Sequence, residues 1–371
     1  MPTARPPLLL TPGPLTTSDR TRAAMGRDWG SRDRDFIALS EGVRTRLAQL
    51  AGAAATHVTV PVQGSGTFAV EAAVQSLVPP DGKLLVLVNG AYGRRIAAIA
   101  RRLGRAFAIL ETGENCAIAA DAVARALAAD DALTDVALVH CETTTGLLNP
   151  LPEIAARVAE AGRRLLVDAM SSFGAVPIDI SRTPCTALIA SANKALEGVP
   201  GLAFVIAETA HLRRCQGNAV SLSLDLHDQW RGFEQNGQWR FTPPVQVVAA
   251  LSAALDQLDA EGGVAARHAR YRHNCDTLIN GMEACGFTPY IDRALQAPVI
   301  VTFRIPPGGW FDFDQFYAFL GARGIVVYPG KLTAEPSFRI GCIGAIGAAE
   351  IRRALDAVGA FVAAHRRQRA S

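Results

Sequence analysis

Seven short apolar segments separated by helical patterns constrain the fold more than any other feature of this sequence. The segments predict strands at residues 57–62, 83–88, 107–110, 136–140, 164–167, 188–190 and 202–206. Apolar residues at helical spacing predict helices at residues 68–77, from 93 to about 103, and at 151–162. Strands that are apolar throughout and alternate with helices indicate an α/β fold, with a mostly parallel seven-stranded sheet between helices.

Polar motifs follow the ends of several predicted strands. They are Gln63-Gly-Ser-Gly-Thr67, Asn89-Gly-Ala-Tyr-Gly93, Glu142-Thr-Thr-Thr-Gly146, Asp168, and Ser191-Ala-Asn-Lys194. In sheets of this kind the ligand crevice lies at the carboxyl ends of the strands. The agreement among the five positions therefore predicts one site at that edge of the sheet.

The rest of the chain predicts an extended arm and a second, smaller domain. Residues 1–15 contain Pro12 and Pro14, which exclude a helix or a sheet interior, so we expect an arm that packs on the small domain and the active site. Further helices are predicted after Thr16–Asp19, at 36–50 and at 244–258. The last part of the chain has an α+β pattern, with helices at 265–285, 313–322 and 348–363 and strands at 299–304, 325–327 and 337–340. The expected division is 1–15, 16–258 for the large domain and 259–371 for the small domain.

Composition excludes several classes of protein. The 371 residues are 49% hydrophobic and 19% charged, which is typical of a well-buried globular chain of two or three domains. The net charge of +3 is spread along the chain, so we expect no nucleic-acid partner, and no segment approaches the ~20 apolar residues of a membrane span. The seven cysteines form no C-x-x-C pair. We therefore expect neither disulfide nor metal site, and a cytoplasmic location.

The motif Gly64-x-Gly66-x-x-Ala69 is open to three interpretations. It fits a dinucleotide fingerprint, but that fingerprint requires an acidic residue about 20 positions later, at the end of the next strand, where this chain has Asn89. A loop that binds a phosphate at a helix N-terminus fits without a second element. A purely structural glycine turn is the third interpretation.

Asp168 and Lys194 predict a specific cofactor. Asp168 ends an apolar strand, where a carboxylate is costly unless it is paired, either with a cationic ring nitrogen or with a backbone N–H group. Lys194 lies in a turn of small residues, where burial would lower its pKa and make the amine nucleophilic. Pyridoxal phosphate needs both groups, a lysine for the Schiff base and an aspartate that keeps the pyridine nitrogen protonated.

Side chains at three further places in the sequence are candidates for the same site. Tyr92 can stack on a planar ring, although a loop tyrosine is more often packing. The threonines at 143–145 offer hydroxyls, although such residues are common near strands. Arg339, in a short apolar strand, suits a carboxylate or phosphonate, with an internal salt bridge as the competing interpretation.

These motifs together resemble the class V branch of the fold-type-I pyridoxal-phosphate-dependent aminotransferases. Within it, the chain is most similar to the enzymes that act on 2-aminoethylphosphonate and pyruvate. The resemblance covers nearly the whole length, through residues 8–17, 63–67, 89–93, 142–146, 167–174, 191–194, 221–226, 239–242, 328–331 and 338–341.

The resemblance implies pyridoxal 5′-phosphate as the cofactor and a role for each matched residue. Lys194 would form the Schiff base and Asp168 would pair with the ring nitrogen. Tyr92 would stack on the ring, and Thr144 would lie near the ring hydroxyl. The cofactor phosphate would be held by Ser65, Gly66 and Thr67.

The resemblance also implies a homodimer with the active site at the subunit interface. In this family the second subunit completes the phosphate site, and Trp239 and Thr242 match the positions that do so. Arg339 would bind the anionic group of pyruvate or alanine, and the phosphonate as well.

The implied reaction moves the amine of 2-aminoethylphosphonate to pyruvate and gives phosphonoacetaldehyde and L-alanine, a step of phosphonate breakdown. A carboxylate-specific class V enzyme, such as an alanine–glyoxylate or serine–pyruvate aminotransferase, shares all the cofactor residues and stays open as a second hypothesis. A cysteine desulfurase would need a reactive cysteine on a mobile loop, whereas Cys342 lies in an apparent strand after Arg339. A nicotinamide dehydrogenase would carry no lysine-bound chromophore, and a non-catalytic binding protein would show no amine-dependent turnover of the cofactor.

Overall fold

The computed structural model describes residues 6–330 and 333–370, with the backbone alone at 366–370. The strands are β1 Leu8–Leu9, β2 His57–Gln63, β3 Lys83–Val88, β4 Ala106–Glu111, β5 Leu133–Val139, β6 Cys141–Glu142, β7 Leu147–Leu148, β8 Arg164–Asp168, β9 Ala187–Ser191, β10 Leu202–Glu208, β11 Ile300–Arg304, β12 Ile325–Val326, β13 Tyr328–Pro329 and β14 Ser337–Gly341. Residues 1–5 of the predicted arm and Lys331 of the 328–331 motif lie outside the described residues.

Twelve α-helices and two short 3₁₀ helices complete the described part of the chain. The α-helices are α1 Asp19–Ala23, α2 Arg34–Leu50, α3 Gly66–Leu77, α4 Ala91–Arg102, α5 Ala120–Ala129, α6 Leu151–Glu160, α7 Thr209–Leu212, α8 Leu226–Asn236, α9 Val245–Glu261, α10 Gly263–Ala284, α11 Phe313–Gly321 and α12 Ala348–Ala370. The 3₁₀ helices are Ala24–Gly26 and Arg293–Leu295. No helix in the described ranges combines the length and the apolar character needed to cross a bilayer.

The central sheet contains the seven strands that the sequence predicts. Their order is β2-β10-β9-β8-β5-β3-β4. All neighbouring pairs are parallel except those of β10, which is antiparallel to both β2 and β9. The prediction of an α/β fold with a mostly parallel sheet is therefore confirmed.

Both faces of this sheet are covered by helices. Leu85 and Leu87 of β3 point into one core, which also contains apolar residues of α2, α5, α6 and α9. Leu84, Val86 and Val88 point into the other core, with residues of α3, α4 and α8. Burying each such side chain contributes about 1.5–3 kcal/mol, which explains why the strand is apolar throughout rather than alternating.

The C-terminal part of the chain has a separate core. Strands β11, β14 and β13 form an antiparallel sheet in that order. An aromatic cluster of six buried phenylalanines fills this core, and its members are Phe287, Phe303, Phe311, Phe316, Phe338 and Phe361. The α+β pattern is present, while the proposed boundary between residues 258 and 259 stays a prediction.

The N-terminal arm lies on this C-terminal core. Strand β1 pairs in parallel with β12, and Leu8 and Leu10 are buried among the residues of the core. The N–H of Gly341 donates to the carbonyl of Leu10 at 2.9 Å. The residues after Leu10 are thereby directed from the C-terminal sheet toward the ends of the central strands.

Three helices and a hairpin have no counterpart in the sequence patterns. Helices α5, α7 and α8 lie where those patterns predict neither helix nor strand, although Asp225 caps α8 by accepting from the N–H of Asp228 at 3.0 Å. Strands β6 and β7 form a two-residue antiparallel pair that folds the 142–146 motif back on itself. That hairpin decides which threonine faces the site.

Candidate active site

A cavity of about 320 Å³ lies at the carboxyl ends of the parallel strands, and we call it the site cavity. Six of the predicted site residues line it: Ser65, Gly66, Thr67, Tyr92, Asp168 and Lys194. The other lining residues are Gly13, Pro14, Val70, Arg95, Ile96, Thr143, Met170, Ser191, Asn193 and Pro200. Residues that are far apart in the sequence thus meet in one place.

Lys194 lies in a tight turn three residues beyond the end of β9. The turn is closed by two hydrogen bonds, from the N–H of Glu197 to the carbonyl of Lys194 and from the N–H of Gly198 to the carbonyl of Ala192, each 2.8 Å. Burial lowers the pKa of the Lys194 amine to about 8. At neutral pH this shift raises the population of the neutral, nucleophilic amine by roughly two orders of magnitude.

Asp168 is the last residue of β8 and is 5% exposed. Its Oδ1 accepts a hydrogen bond from the N–H of Met170 at 3.0 Å, and no described cation forms an ion pair with it. Burial raises the pKa of Asp168 to about 6. The site cavity therefore contains a carboxylate that a cationic ligand group would stabilise.

The loop 63–67 brings a helix N-terminus to the site cavity. Ser65 is the N-cap residue of α3, and its side chain makes no cap bond to the first turn. At Gly66 a Cβ would lie 2.5 Å from the sulfur of Met170, so a side chain at this position would require Met170 to move. The free N–H groups of a helix start, together with the adjacent hydroxyls, form a site for an anion such as phosphate.

Tyr92 enters the site cavity from the first turn of α4. Thr144 and Glu142 hold this helix start: the N–H of Ala91 donates to Thr144 Oγ1 at 3.2 Å, and that hydroxyl donates to Glu142 Oε1 at 2.6 Å. Thr144 is fully buried by these contacts and does not line the cavity. Its neighbour Thr143 does, with its hydroxyl 2.6 Å from that of Ser171.

Arg339 lies beside the site cavity, behind Tyr92 and Thr143. Its guanidinium donates to the carbonyl of Pro329 at 3.2 and 3.3 Å and to the carbonyl of Thr143 at 3.2 Å. Burial lowers the pKa of Arg339, and a further hydrogen bond with Tyr92 partly offsets that effect. No carboxylate in the described residues forms a salt bridge with it, so a buried cation remains for an anionic ligand.

Trp239 and Thr242 lie away from the site cavity of their own chain. Trp239 donates from Nε1 to Ser40 Oγ at 3.0 Å and lines a second cavity, of about 440 Å³, together with Phe68 and Phe241. Thr242 is exposed. These two residues therefore contribute nothing to the site within one subunit.

Sequence reasoning missed Arg95 and Asn193 in the site cavity, and among the threonines at 143–145 the resemblance points to Thr144, whereas Thr143 lines the cavity. Arg95 follows Tyr92 by three positions, a spacing that places both on one face of a helix, so its signal was present. Its Nη1 lies 3.4 Å from Thr67 Oγ1, and its guanidinium carbon lies 4.7 Å from the centre of the Tyr92 ring. The choice between Thr143 and Thr144 depends on the hairpin, which has no signal in the sequence.

Known proteins resemble this chain over almost its whole length. The family model described as aminotransferase class-V matches residues 16–349. A 2-aminoethylphosphonate–pyruvate transaminase of Pseudomonas entomophila is 55% identical, over 95% of this chain and 96% of its own length. The 2-aminoethylphosphonate–pyruvate transaminase 2 of Burkholderia lata is 56% identical, over 96% of this chain and 94% of its own.

One solved structure has a similar fold at lower sequence identity. It is pyridoxamine–pyruvate aminotransferase from Mesorhizobium loti, which is 27% identical and superposes with a TM-score of 0.89. The similarity covers 98% of this chain and 94% of that one. The matched regions therefore include the central sheet, the C-terminal core and the residues of the site cavity.

Proposed function

The chain belongs to the class-V aminotransferase family, and we propose that it transfers the amino group of 2-aminoethylphosphonate to pyruvate, giving phosphonoacetaldehyde and L-alanine. The substrate assignment rests on the similarity to transaminases named for this reaction, at 55% and 56% identity over 95% and 96% of this chain. The site cavity supports the proposal because it combines a nucleophilic lysine with groups that suit anions.

The residues of the site cavity fit pyridoxal 5′-phosphate. Asp168 is buried without a described counter-ion, and the protonated nitrogen of a pyridine ring supplies one. The phosphate matches the start of α3, where Gly66 leaves no side chain in the way. The amine of Lys194 has a lowered pKa and faces the same cavity.

We propose the following contacts with the cofactor on this basis. Lys194 would hold its aldehyde carbon, Asp168 its ring nitrogen, Tyr92 its ring face, and Ser65, Gly66 and Thr67 its phosphate. Thr144 would act near the ring hydroxyl, and we extend that role to Thr143, which lines the cavity. When bound, the cofactor supplies an electron sink for the substrate carbon that carries the amine.

The chain's own residues then orient the substrate and move its proton. Arg339 binds the phosphonate of the donor and the carboxylate of pyruvate, because its guanidinium has no carboxylate partner in the described structure. The Nζ atom of Lys194 would carry the proton from the substrate carbon to the cofactor in the first half of the reaction, and from the cofactor to the carbon that becomes the α-carbon of alanine in the second half. Fixed placement of both groups removes the entropy cost of bringing them together.

A homodimer is part of the proposal. Phe68, Leu222 and Phe241 are exposed apolar side chains around the cavity that Trp239 lines. Apolar side chains grouped in this way are typical of an interaction surface. We infer that a second copy covers this surface and brings its Trp239 and Thr242 to the cofactor phosphate.

We further propose a cytoplasmic location. The exposed Cys116 is a free thiol, which suits a reducing compartment.

A comparison of amino donors at a fixed pyruvate concentration tests the substrate assignment. We expect kcat/KM for 2-aminoethylphosphonate to exceed that for L-serine and glycine by at least about 100-fold, because a site that pairs a dianion discriminates strongly against groups that leave it unpaired. A carboxylate-bearing donor that is used as well as 2-aminoethylphosphonate contradicts the assignment and favours a carboxylate-specific enzyme of the same family.

A further inference from the structure

We propose that Glu197 is a positioning residue for Lys194: its buried carboxylate anchors the turn that bears the lysine to helix α10. The inference rests on the proposed role of Lys194 in the transaminase.

The backbone of Glu197 has an uncommon conformation. Its φ is +62°, and it is the one residue other than glycine with a positive φ in the described part of the chain. Side chains disfavour this region, and residues that occupy it are concentrated at functional sites where the surroundings enforce it. Glycine would adopt this turn more easily, so the side chain of Glu197 must offset a cost.

The carboxylate of Glu197 is held by charged and polar groups of α10. Its Oε1 accepts from Arg270 Nη2 at 2.7 Å and from the hydroxyl of Tyr271 at 2.6 Å. Arg267 Nη2 lies 3.8 Å from Oε2. Glu197 is only 5% exposed, so these partners replace the water that its charge has lost.

The same helix also holds the main chain of the turn. Arg267 donates to the carbonyl of Ala195 at 3.1 Å, and the hydroxyl of Tyr271 lies 3.2 Å from that carbonyl. Glu261 fixes both arginines in turn, at 2.9 Å from Arg267 Nε and 2.7 Å from Arg270 Nε. The residue directly after Lys194 is therefore bound to α10 through its backbone, and Glu197 is bound through its side chain.

The network fixes where the lysine amine can lie. Lys194 and Glu197 are joined by the hydrogen bond that closes the turn, so a change in the backbone of Glu197 moves the carbonyl of Lys194. The opposite flank of the turn is covered by the arm, where a Cβ on Gly13 would lie 2.8 Å from Lys194 Cδ. Without the carboxylate the turn can relax only on the side of α10, and the amine loses its fixed position.

The test compares Glu197→Gln with a matched control, Asp135→Asn. Asp135 is also a buried carboxylate bound by an arginine, with Arg164 Nε and Nη2 at 2.7 Å, but it lies at the opposite ends of β5 and β8 from the site cavity. Both variants remove one buried charge from one arginine network. A purely structural role predicts the same behaviour for both.

We expect Glu197→Gln to lower kcat by at least about tenfold while KM for pyruvate changes less than about threefold, because the lysine is displaced and the substrate-binding arginine is not. We also expect the pH midpoint of the yellow absorbance of the lysine-bound cofactor to move by at least about 0.5 unit, since the environment of the amine changes. Asp135→Asn should lower the melting temperature and leave both quantities as in the wild type.

Two results overturn the inference. One is a Glu197→Gln protein whose kcat and midpoint match the wild type while its melting temperature falls as in Asp135→Asn. The other is the same outcome for Tyr271→Phe, which removes a single hydroxyl from the network and serves if Glu197→Gln does not fold. If replacing Lys194 leaves the yellow absorbance unchanged, the proposed function itself is contradicted. The premise of the anchor then fails with it.

Discussion

Asp168 and Lys194 line the site cavity with pKa values displaced toward their uncharged forms, to about 6 and about 8. Burial is the largest cause in both cases, and their mutual attraction only partly offsets it. In the protein without cofactor, the fold therefore leaves Asp168 and Lys194 poorly stabilised, and a bound cofactor would stabilise them better. Such sites are commonly maintained at the expense of stability.

Replacing Asp168 by asparagine should stabilise the protein in the absence of cofactor. Because the folded pKa of Asp168 is raised from 3.8 to about 6, its contribution to stability is complete below pH 3.8 and is lost as the pH rises through 6. The shift corresponds to roughly 3 kcal/mol at most. Asp168→Asn should therefore gain stability over the wild type above pH 6, and the gain should shrink toward lower pH.

Urea unfolding of both proteins without cofactor, at about pH 8 and about pH 5, measures this difference. Added pyridoxal phosphate should reverse the order, because only the wild type can pair the ring nitrogen. A variant that is less stable than the cofactor-free wild type at the higher pH would show that Asp168 has a counter-ion within the fold.

Replacing Arg339 by glutamine should weaken the binding of both substrates. The variant leaves the carbonyls of Pro329 and Thr143 with a neutral donor and removes the cation, so kcat/KM for pyruvate should fall by about 100-fold or more. Arg304→Gln on the adjacent strand β11 is the control, because Arg304 pairs with Glu335 outside the site cavity. Equal losses in the two variants would count against a substrate role for Arg339.

Among single residues, the sequence predicts those whose type is rare at the end of an apolar strand. It misses those whose position depends on packing. A lone aspartate and a lysine at the ends of apolar strands carry a signal because burial there is costly. Glu197 carries none, since neither its positive φ nor its contacts with a helix some 70 residues later can be read from local pattern. Thr143 and Thr144 are indistinguishable without the hairpin.

Among the elements, the N-terminal arm connects the C-terminal core to the site cavity. Leu8 and Leu10 pack in that core, and Gly13 and Pro14 line the cavity. The proline spacing predicts an extended arm, and β1 is an extended strand. The strand β12 is predicted at 325–327, but its pairing with β1 could not be predicted, because a two-residue parallel pair leaves no periodicity in the sequence.

Gly13→Ala should disturb the lysine through this arm. A Cβ at this position would lie 2.7 Å from the carbonyl oxygen of Asn193 and 2.8 Å from Lys194 Cδ, and φ is +119°, so the arm must move. We expect kcat to fall by about tenfold, as for a small displacement of a catalytic group. Steady-state kinetics measures this effect.

Gly42→Ala is the matched control for the arm variant. Gly42 lies in helix α2, and a Cβ added there would meet no neighbouring heavy atom within 4 Å. Alanine should therefore stabilise the helix by about 0.5–1 kcal/mol and leave kcat unchanged. If Gly13→Ala retains wild-type kcat, the arm does not constrain Lys194.

The sequence predicts elements best where burial on two faces makes a segment uniformly apolar. Most of the central strands are of this kind, whereas α5 is rich in alanine and α8 is largely polar, and each buries only a few apolar side chains on one face. The edge strand β4 is predicted despite its partial exposure, because apolar residues continue along it where it pairs with β3. The signal thus follows burial rather than position in the chain.

For the whole molecule, the proposed dimer explains two features that one subunit leaves unexplained. Leu222 is 72% exposed and precedes Ser223 and Leu224, which line the second cavity. Trp239 and Thr242 lie outside the site cavity of their own chain. A second copy that packs on this surface would bury Leu222 and bring its Trp239 and Thr242 to the cofactor site of its neighbour.

Leu222→Glu should weaken the dimer, because a charge would be buried against an apolar surface. Sedimentation of the wild type should give twice the 39.2 kDa of one chain, and the variant should dissociate at least about tenfold more readily. Tyr317→Glu is the control, since Tyr317 is 42% exposed on α11, apart from that surface. A monomeric wild type that still binds the cofactor tightly would contradict the shared site.

The whole assignment depends on one step, in which pyridoxal phosphate held by Lys194 would accept the amino group of 2-aminoethylphosphonate. The most direct measurement is the visible spectrum of the purified protein mixed with 2-aminoethylphosphonate in the absence of pyruvate, with Lys194→Ala as the reference. We predict that the yellow absorbance bleaches in the wild type, returns when pyruvate is added, and is absent from the variant. Bleaching by L-alanine but not by 2-aminoethylphosphonate would contradict the substrate, and a wild type that stays colourless with added cofactor would contradict the site.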